Sequence, residues 1–114
     1  MYSRLLRMKK INKELLKGSS DILLLKVLAD KPLYGYEIAK QIKQLSDDVL
    51  AMGEGTLYPL LHRLEQAKLL ESFWQDVNGR KRKYYGLTVQ GKKILEAKTA
   101  EWKAFSGAIN SIVG

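Results

Sequence analysis

Cysteine is absent from this 114-residue chain, and with it go disulfides, thiolate metal sites and cysteine nucleophiles. A cysteine-free composition fits a reducing compartment. Histidine occurs once, at His62, so neither a histidine metal cluster nor a Cys–His pair can be assembled. Long apolar runs are missing too. None reaches the roughly 18 residues that cross a bilayer, and charges interrupt the N-terminus too often for the apolar core of a signal peptide. Gly53-Glu54-Gly55 lacks the lysine and the spacing of a phosphate-binding loop. The adjacent carboxylates Asp47 and Asp48 would diverge on a helix. The expectation is a cytoplasmic protein with no catalytic residue, no cofactor, no metal and no membrane partner.

What is present in excess is positive charge. The net charge is +8, and it is concentrated in two places. Residues 1–17 set Arg4, Arg7, Lys9, Lys10, Lys13 and Lys17 against Glu14 alone, and residues 80–83 read Arg-Lys-Arg-Lys. Two basic clusters on an otherwise balanced chain suit contact with a polyanion. Solvated surface runs are the plainer alternative. With 46% apolar residues the chain is globular, yet a core of this size leaves much surface exposed, so a partner subunit would help.

Hydrophobic spacing gives the elements. Residues 3–17 form an amphipathic helix with a basic outer face, broken by Gly18, Ser19 and Ser20. Ser20 can cap a second helix that Pro32 ends. A third helix follows Gly35, with Ile38, Ile42 and Leu45 as its buried stripe and Tyr36, Lys40 and Lys43 toward other faces. Beyond residue 70 the period changes to two. LESFWQD and KYYGLT read as strands around VNGR, whose Asn-Gly is a strong hairpin signal. Phe73 and Trp74 then fall on opposite sheet faces. Thr88 caps a last helix, along which Leu95, Trp102, Phe105, Ile109 and Ile112 approach a heptad seam.

Three helices followed by a basic hairpin describe a winged helix-turn-helix, mainly α in an α+β arrangement, with additional helices at both ends. The expected division is a basic N-terminal helix over 1–17, a DNA-binding domain over 18–88 and a dimerisation helix over 89–114.

The helix within 53–70 has two unlike faces. Leu57, Leu60, Leu61 and Leu64 cluster on one side; Gly55, Pro59, His62 and Gln66 cluster on the other, flanked by Thr56, Tyr58 and Arg63. Small residues permit close backbone approach, and Thr, Tyr, His and Arg can bond phosphates or base edges. If Thr56 is the N-cap, Pro59 falls in the first turn at little cost. If the helix starts at Gly53 or Glu54, Pro59 lies one turn in and bends it slightly. A simple capped helix start remains open, as does plain edge protection for the basic strand.

EGTLYPLLHRLEQAKLL followed by NGRKRKYYGLT, with the earlier YGYEIAKQI, closely resembles the PadR-type transcriptional regulators over about residues 20–91. The resemblance implies a dimeric repressor of double-stranded DNA, with residues 54–68 as recognition helix, 70–88 as wing, and the last helix crossing to the partner of a homodimer. Gly55, Thr56, Leu57, Tyr58 and Pro59 match the recognition motif, Tyr36 a backbone-contacting position, and Gly79 with Arg80, Lys81, Arg82 and Lys83 the wing. Lys40, His62 and Arg63 complete the candidate DNA surface. Gly86 departs from the pattern, which favours Arg or Lys there. Two-fold symmetry implies an inverted-repeat operator.

Some members of the family release DNA when a small aromatic or cationic compound binds, and Trp102 resembles a tryptophan that lines a drug-binding pore at the dimer interface in one subgroup; aromatics at helical spacing are more often dimer-core anchors, and one residue can do both. The rival to DNA readout is a winged-helix module that binds protein, against which the basic residues 80–83 argue. A membrane-surface role for residues 1–17 is weakened by an apolar face without Trp or Phe.

Overall fold

The computed structural model describes residues 13–114. The elements are α1 (Lys13–Val27), β1 (Leu33–Tyr34), α2 (Gly35–Leu45), α3 (Glu54–Gln66), β2 (Leu70–Val77), β3 (Arg80–Leu87) and α4 (Val89–Val113). Three antiparallel strands in the order β1-β3-β2 form the wing sheet, making a winged helix-turn-helix in which α1, α2 and α3 precede the hairpin and α4 is added after it.

The break expected at Gly18-Ser19-Ser20 does not occur, since α1 runs through all three residues. Ser20 is a buried interior residue and not a cap. Glycine costs a helix only about 1 kcal/mol relative to alanine. Leu24, Leu25 and Leu28, all essentially buried, anchor the following turns, and tertiary packing of that kind outweighs local propensity. Of the basic segment over 1–17, residues 1–12 lie outside the described residues.

The remaining core comes from every element. Ile38 and Ile42 of α2, Leu57, Leu60, Leu61 and Leu64 of α3, Leu33 and Tyr85 of the sheet, Leu70, Met52 and Leu95 close around the α1 leucines. Each fully buried leucine contributes roughly 1.5–3 kcal/mol. Leu45 does not join its expected stripe: it is 73% exposed in the last turn of α2. The chain turns away there through Asp47 and Asp48, both left-handed (φ 54° and 66°), with the Asp48 N–H donating back to the Lys43 carbonyl at 2.8 Å.

The hairpin forms where expected. Asn78 and Gly79 take φ of 52° and 80°, the left-handed pair that a tight primed turn requires. Register runs from Leu70 opposite Leu87 to Val77 opposite Arg80. The short strand β1 was not foreseen; it adds Leu33 and Tyr34 opposite Tyr85 and Tyr84. Thr88 caps α4 as expected, accepting from the Gly91 N–H at 2.9 Å while donating to the Lys68 carbonyl at 2.7 Å.

Candidate nucleic-acid interface

Helix α3 starts at Glu54 with Gly53 as N-cap, the earlier of the two possible starts. The Thr56 and Leu57 amides both donate to the Gly53 carbonyl, at 3.1 and 2.8 Å. Pro59 therefore lies in the second turn, and its missing N–H leaves the exposed Gly55 carbonyl without its helical donor. The two faces separate as the leucine spacing requires. Leu57, Leu60, Leu61 and Leu64 are buried, whereas Gly55, Thr56, Tyr58, Pro59, His62, Arg63 and Gln66 are exposed.

Within that exposed face the residues differ in what holds them. A Cβ at Gly55 would meet nothing within 4 Å, so the packing of the chain itself does not require glycine there. Tyr58 is 46% exposed and lies across Gly35, where a Cβ would collide with its hydroxyl. The buried Gly35 thus lets α3 rest its tyrosine on the start of α2, next to Tyr36, which is 65% exposed. Lys40 is exposed one turn further along the same side of α2 as Tyr36. The Tyr34 amide donates to Glu37 Oε1 at 3.2 Å, securing the helix start that carries Tyr36.

Arg63 is engaged elsewhere. Its guanidinium donates to both carboxylate oxygens of Asp21 on α1, at 2.6 and 3.5 Å. The pair opens onto a cleft of about 550 Å³ between α1 and α4, lined also by Ile22, Lys98, Trp102 and Phe105.

The four cations of β3 do not form one cluster at a tip. Strand alternation puts Arg80 and Arg82 on one face and Lys81 and Lys83 on the other. Lys83 lies 3.9 Å from Glu65 of α3 and over the Tyr85 ring at 5.6 Å. Glu65 also accepts from the Ser72 hydroxyl, so it ties the wing to α3. On the outer face the guanidinium of Arg82 sits 4.9 Å from the centroid of the Tyr34 ring. Burial pushes the Tyr85 phenol up from its ordinary range, with Lys83 acting in the opposite direction. Tyr84 is raised as well, by loss of solvent and then by the negative charge of Glu37. Gly86, the departure from the family pattern, faces Pro32, whose Cγ would stand 3.3 Å from a Cβ.

Along α4 the apolar residues divide. Leu95 belongs to the chain's own core, while Trp102, Phe105, Ile109 and Ile112 are exposed, with the Trp102 and Phe105 rings 6.1 Å apart. The exposed stripe therefore begins at Trp102. Sequence inspection missed Glu65, Asp21 and the outer aromatic row of the wing. Two-residue alternation along β2 and β3 could have revealed that row; the Asp21–Arg63 pair, 42 residues apart, left no local signal.

Among the described residues no helix is long and apolar enough to cross a membrane, and no group of His, Asp or Glu is arranged to hold a metal. Residues 24–97 match the transcriptional regulator PadR-like family. A PadR family transcription regulator from Clostridium difficile is 40% identical, with a TM-score of 0.76 over 84% of this chain and 99% of its own. A PadR-like transcriptional regulator from Bacillus cereus is 30% identical, with a TM-score of 0.79 over 89% and 97%. A transcriptional regulator from Mycobacterium tuberculosis is 35% identical over 75% of each chain. The chain belongs to the PadR-like family of transcriptional regulators.

Proposed function

We propose that this regulator is a sequence-specific DNA-binding repressor that acts in the cytoplasm as a homodimer on an inverted-repeat operator. The observation that carries this reading is the exposed polar face of α3, where Gly55, Thr56, Tyr58, Pro59 and His62 stand over a fully buried leucine face. Gly55 is small without any need inside the protomer, which suits close approach of a duplex. Thr56, Tyr58 and His62 supply hydrogen bonds to bases or phosphates, Tyr36 and Lys40 hold the backbone, and Arg80, Lys81 and Arg82 extend the contact through the wing. Lys83 and Arg63 border this surface while paired with Glu65 and Asp21.

Dimerisation uses the exposed stripe of α4 formed by Trp102, Phe105, Ile109 and Ile112. A second copy covering that stripe would also wall the cleft beside Trp102, where a small aromatic or cationic effector can stack.

The test is fluorescence anisotropy with DNA from upstream of the chain's own coding sequence, against random duplex, at several salt concentrations. Tighter binding to the upstream DNA is expected. Replacing Arg80, Lys81, Arg82 and Lys83 together by Ala should weaken binding to both and flatten the salt dependence, by about 0.9 log units per lost phosphate contact. Equal affinity of the native chain for both DNAs refutes sequence-specific regulation.

A further inference from the structure

The outer face of the wing sheet carries aromatic rings to which DNA binding as described assigns no task. Register sets Tyr34, Tyr84 and Phe73 side by side across β1, β3 and β2. Tyr34 meets Tyr84 edge-on at 5.4 Å, and Tyr84 stacks with Phe73 at 5.7 Å. Tyr36 continues the row from the start of α2, 6.4 Å from Tyr34. Arg82 folds onto this row, over the Tyr34 ring.

A planar guanidinium held over a ring keeps its N–H donors around its edge, where a phosphate can still accept from them. An arginine free on an exposed strand samples many rotamers and loses them on contact. One already held loses fewer, so its contact is stronger for the same geometry. The place of the ring matters as much as its chemistry. Tyr34 immediately precedes α2, so the guanidinium lies over a ring that itself neighbours Tyr36, with 6.4 Å between the two ring centroids.

We propose that Tyr34 is a positioning residue for DNA binding: its ring holds Arg82 so that the wing and the Tyr36 end of α2 engage the same stretch of DNA backbone. The inference rests on the DNA-binding reading above and adds how one cation is presented. The Tyr34 amide, not its side chain, donates to Glu37, so a side-chain substitution keeps that hydrogen bond at the helix start.

A double-mutant cycle on the full chain, binding a short duplex of arbitrary sequence, tests this. Arg82→Ala is expected to lower the salt slope by about 0.9. Tyr34→Leu is expected to weaken binding roughly two- to tenfold, and to have no further effect once Arg82 is Ala. Tyr34→Phe, which keeps the ring, should bind as the native chain does. A ring that only supports the sheet would lower the thermal midpoint and weaken binding equally with or without Arg82; that result overturns the inference. So does tighter binding by Tyr34→Leu, which would mean that the ring sequesters Arg82. An unchanged slope in Arg82→Ala removes the wing contact itself, and the inference falls with it. If Tyr34→Leu does not fold, pentafluorophenylalanine at position 34 keeps the shape and inverts the ring's charge distribution. It should bind as weakly as the leucine variant was expected to, and native affinity overturns the inference.

Discussion

A methyl group at position 91 has nowhere to go. The Cβ it requires would run into the backbone carbonyl of Leu69, which is itself held by the Thr88 amide at 3.1 Å. Gly91→Ala is therefore expected to destabilise the fold by roughly 3 kcal/mol, because backbone must move and alanine's better helix propensity offsets only a fraction. Urea unfolding should show a lower midpoint at unchanged slope. Gly55 is the converse case. Open space surrounds the position a Cβ would take, so Gly55→Ala is expected to stabilise α3 by about 0.5–1 kcal/mol while weakening operator binding. Gaining stability while losing affinity would identify a glycine kept for what approaches from outside. Unchanged operator affinity would remove Gly55 from the contact surface.

At the level of elements, the wing and α3 work as one piece, joined through Glu65 to Ser72 and Lys83 and through Tyr85 in the core. Burial raises the Tyr85 phenol above its ordinary value of 10.0, so the folded state favours the neutral form. The stability this gives is fully present below pH 10.0 and is lost as pH rises through the folded-state value. Denaturation midpoints followed into alkali should fall, and Tyr85→Phe should flatten that fall; an unchanged alkaline profile in the variant would place the sensitivity elsewhere. Much of this architecture was legible. The leucine spacing of α3 separated its faces correctly, and Asn78-Gly79 announced the hairpin. Strand β1 was not legible, since two residues have no period. The continuity of α1 was hidden because glycine and serine report local preference, whereas Leu24, Leu25 and Leu28 act through contacts far along the chain. The basic run misled for a related reason: four consecutive cations look like one cluster until strand alternation sends them to opposite faces.

For the whole molecule, α4 is the element with unfinished business. It spans 25 residues, its first turns pack into the core through Leu95, and its remaining apolar residues face outward. Ile109→Asp is expected to yield monomers in sedimentation and to weaken operator binding, because two half-sites are then no longer engaged together. A dimer that persists would place the interface away from this stripe. The cleft between α1 and α4 connects this end of the molecule to the other, for Trp102 and the Arg63 of α3 share its wall. Suppose a compound bound there disturbs the Asp21–Arg63 pair and lowers affinity for the operator by some factor. The operator must then lower affinity for the compound by that same factor, whatever the route between them. A cell holding many copies of the operator would consequently need more of the compound to reach the same occupancy, so the number of target sites would help set the dose at which the regulator responds.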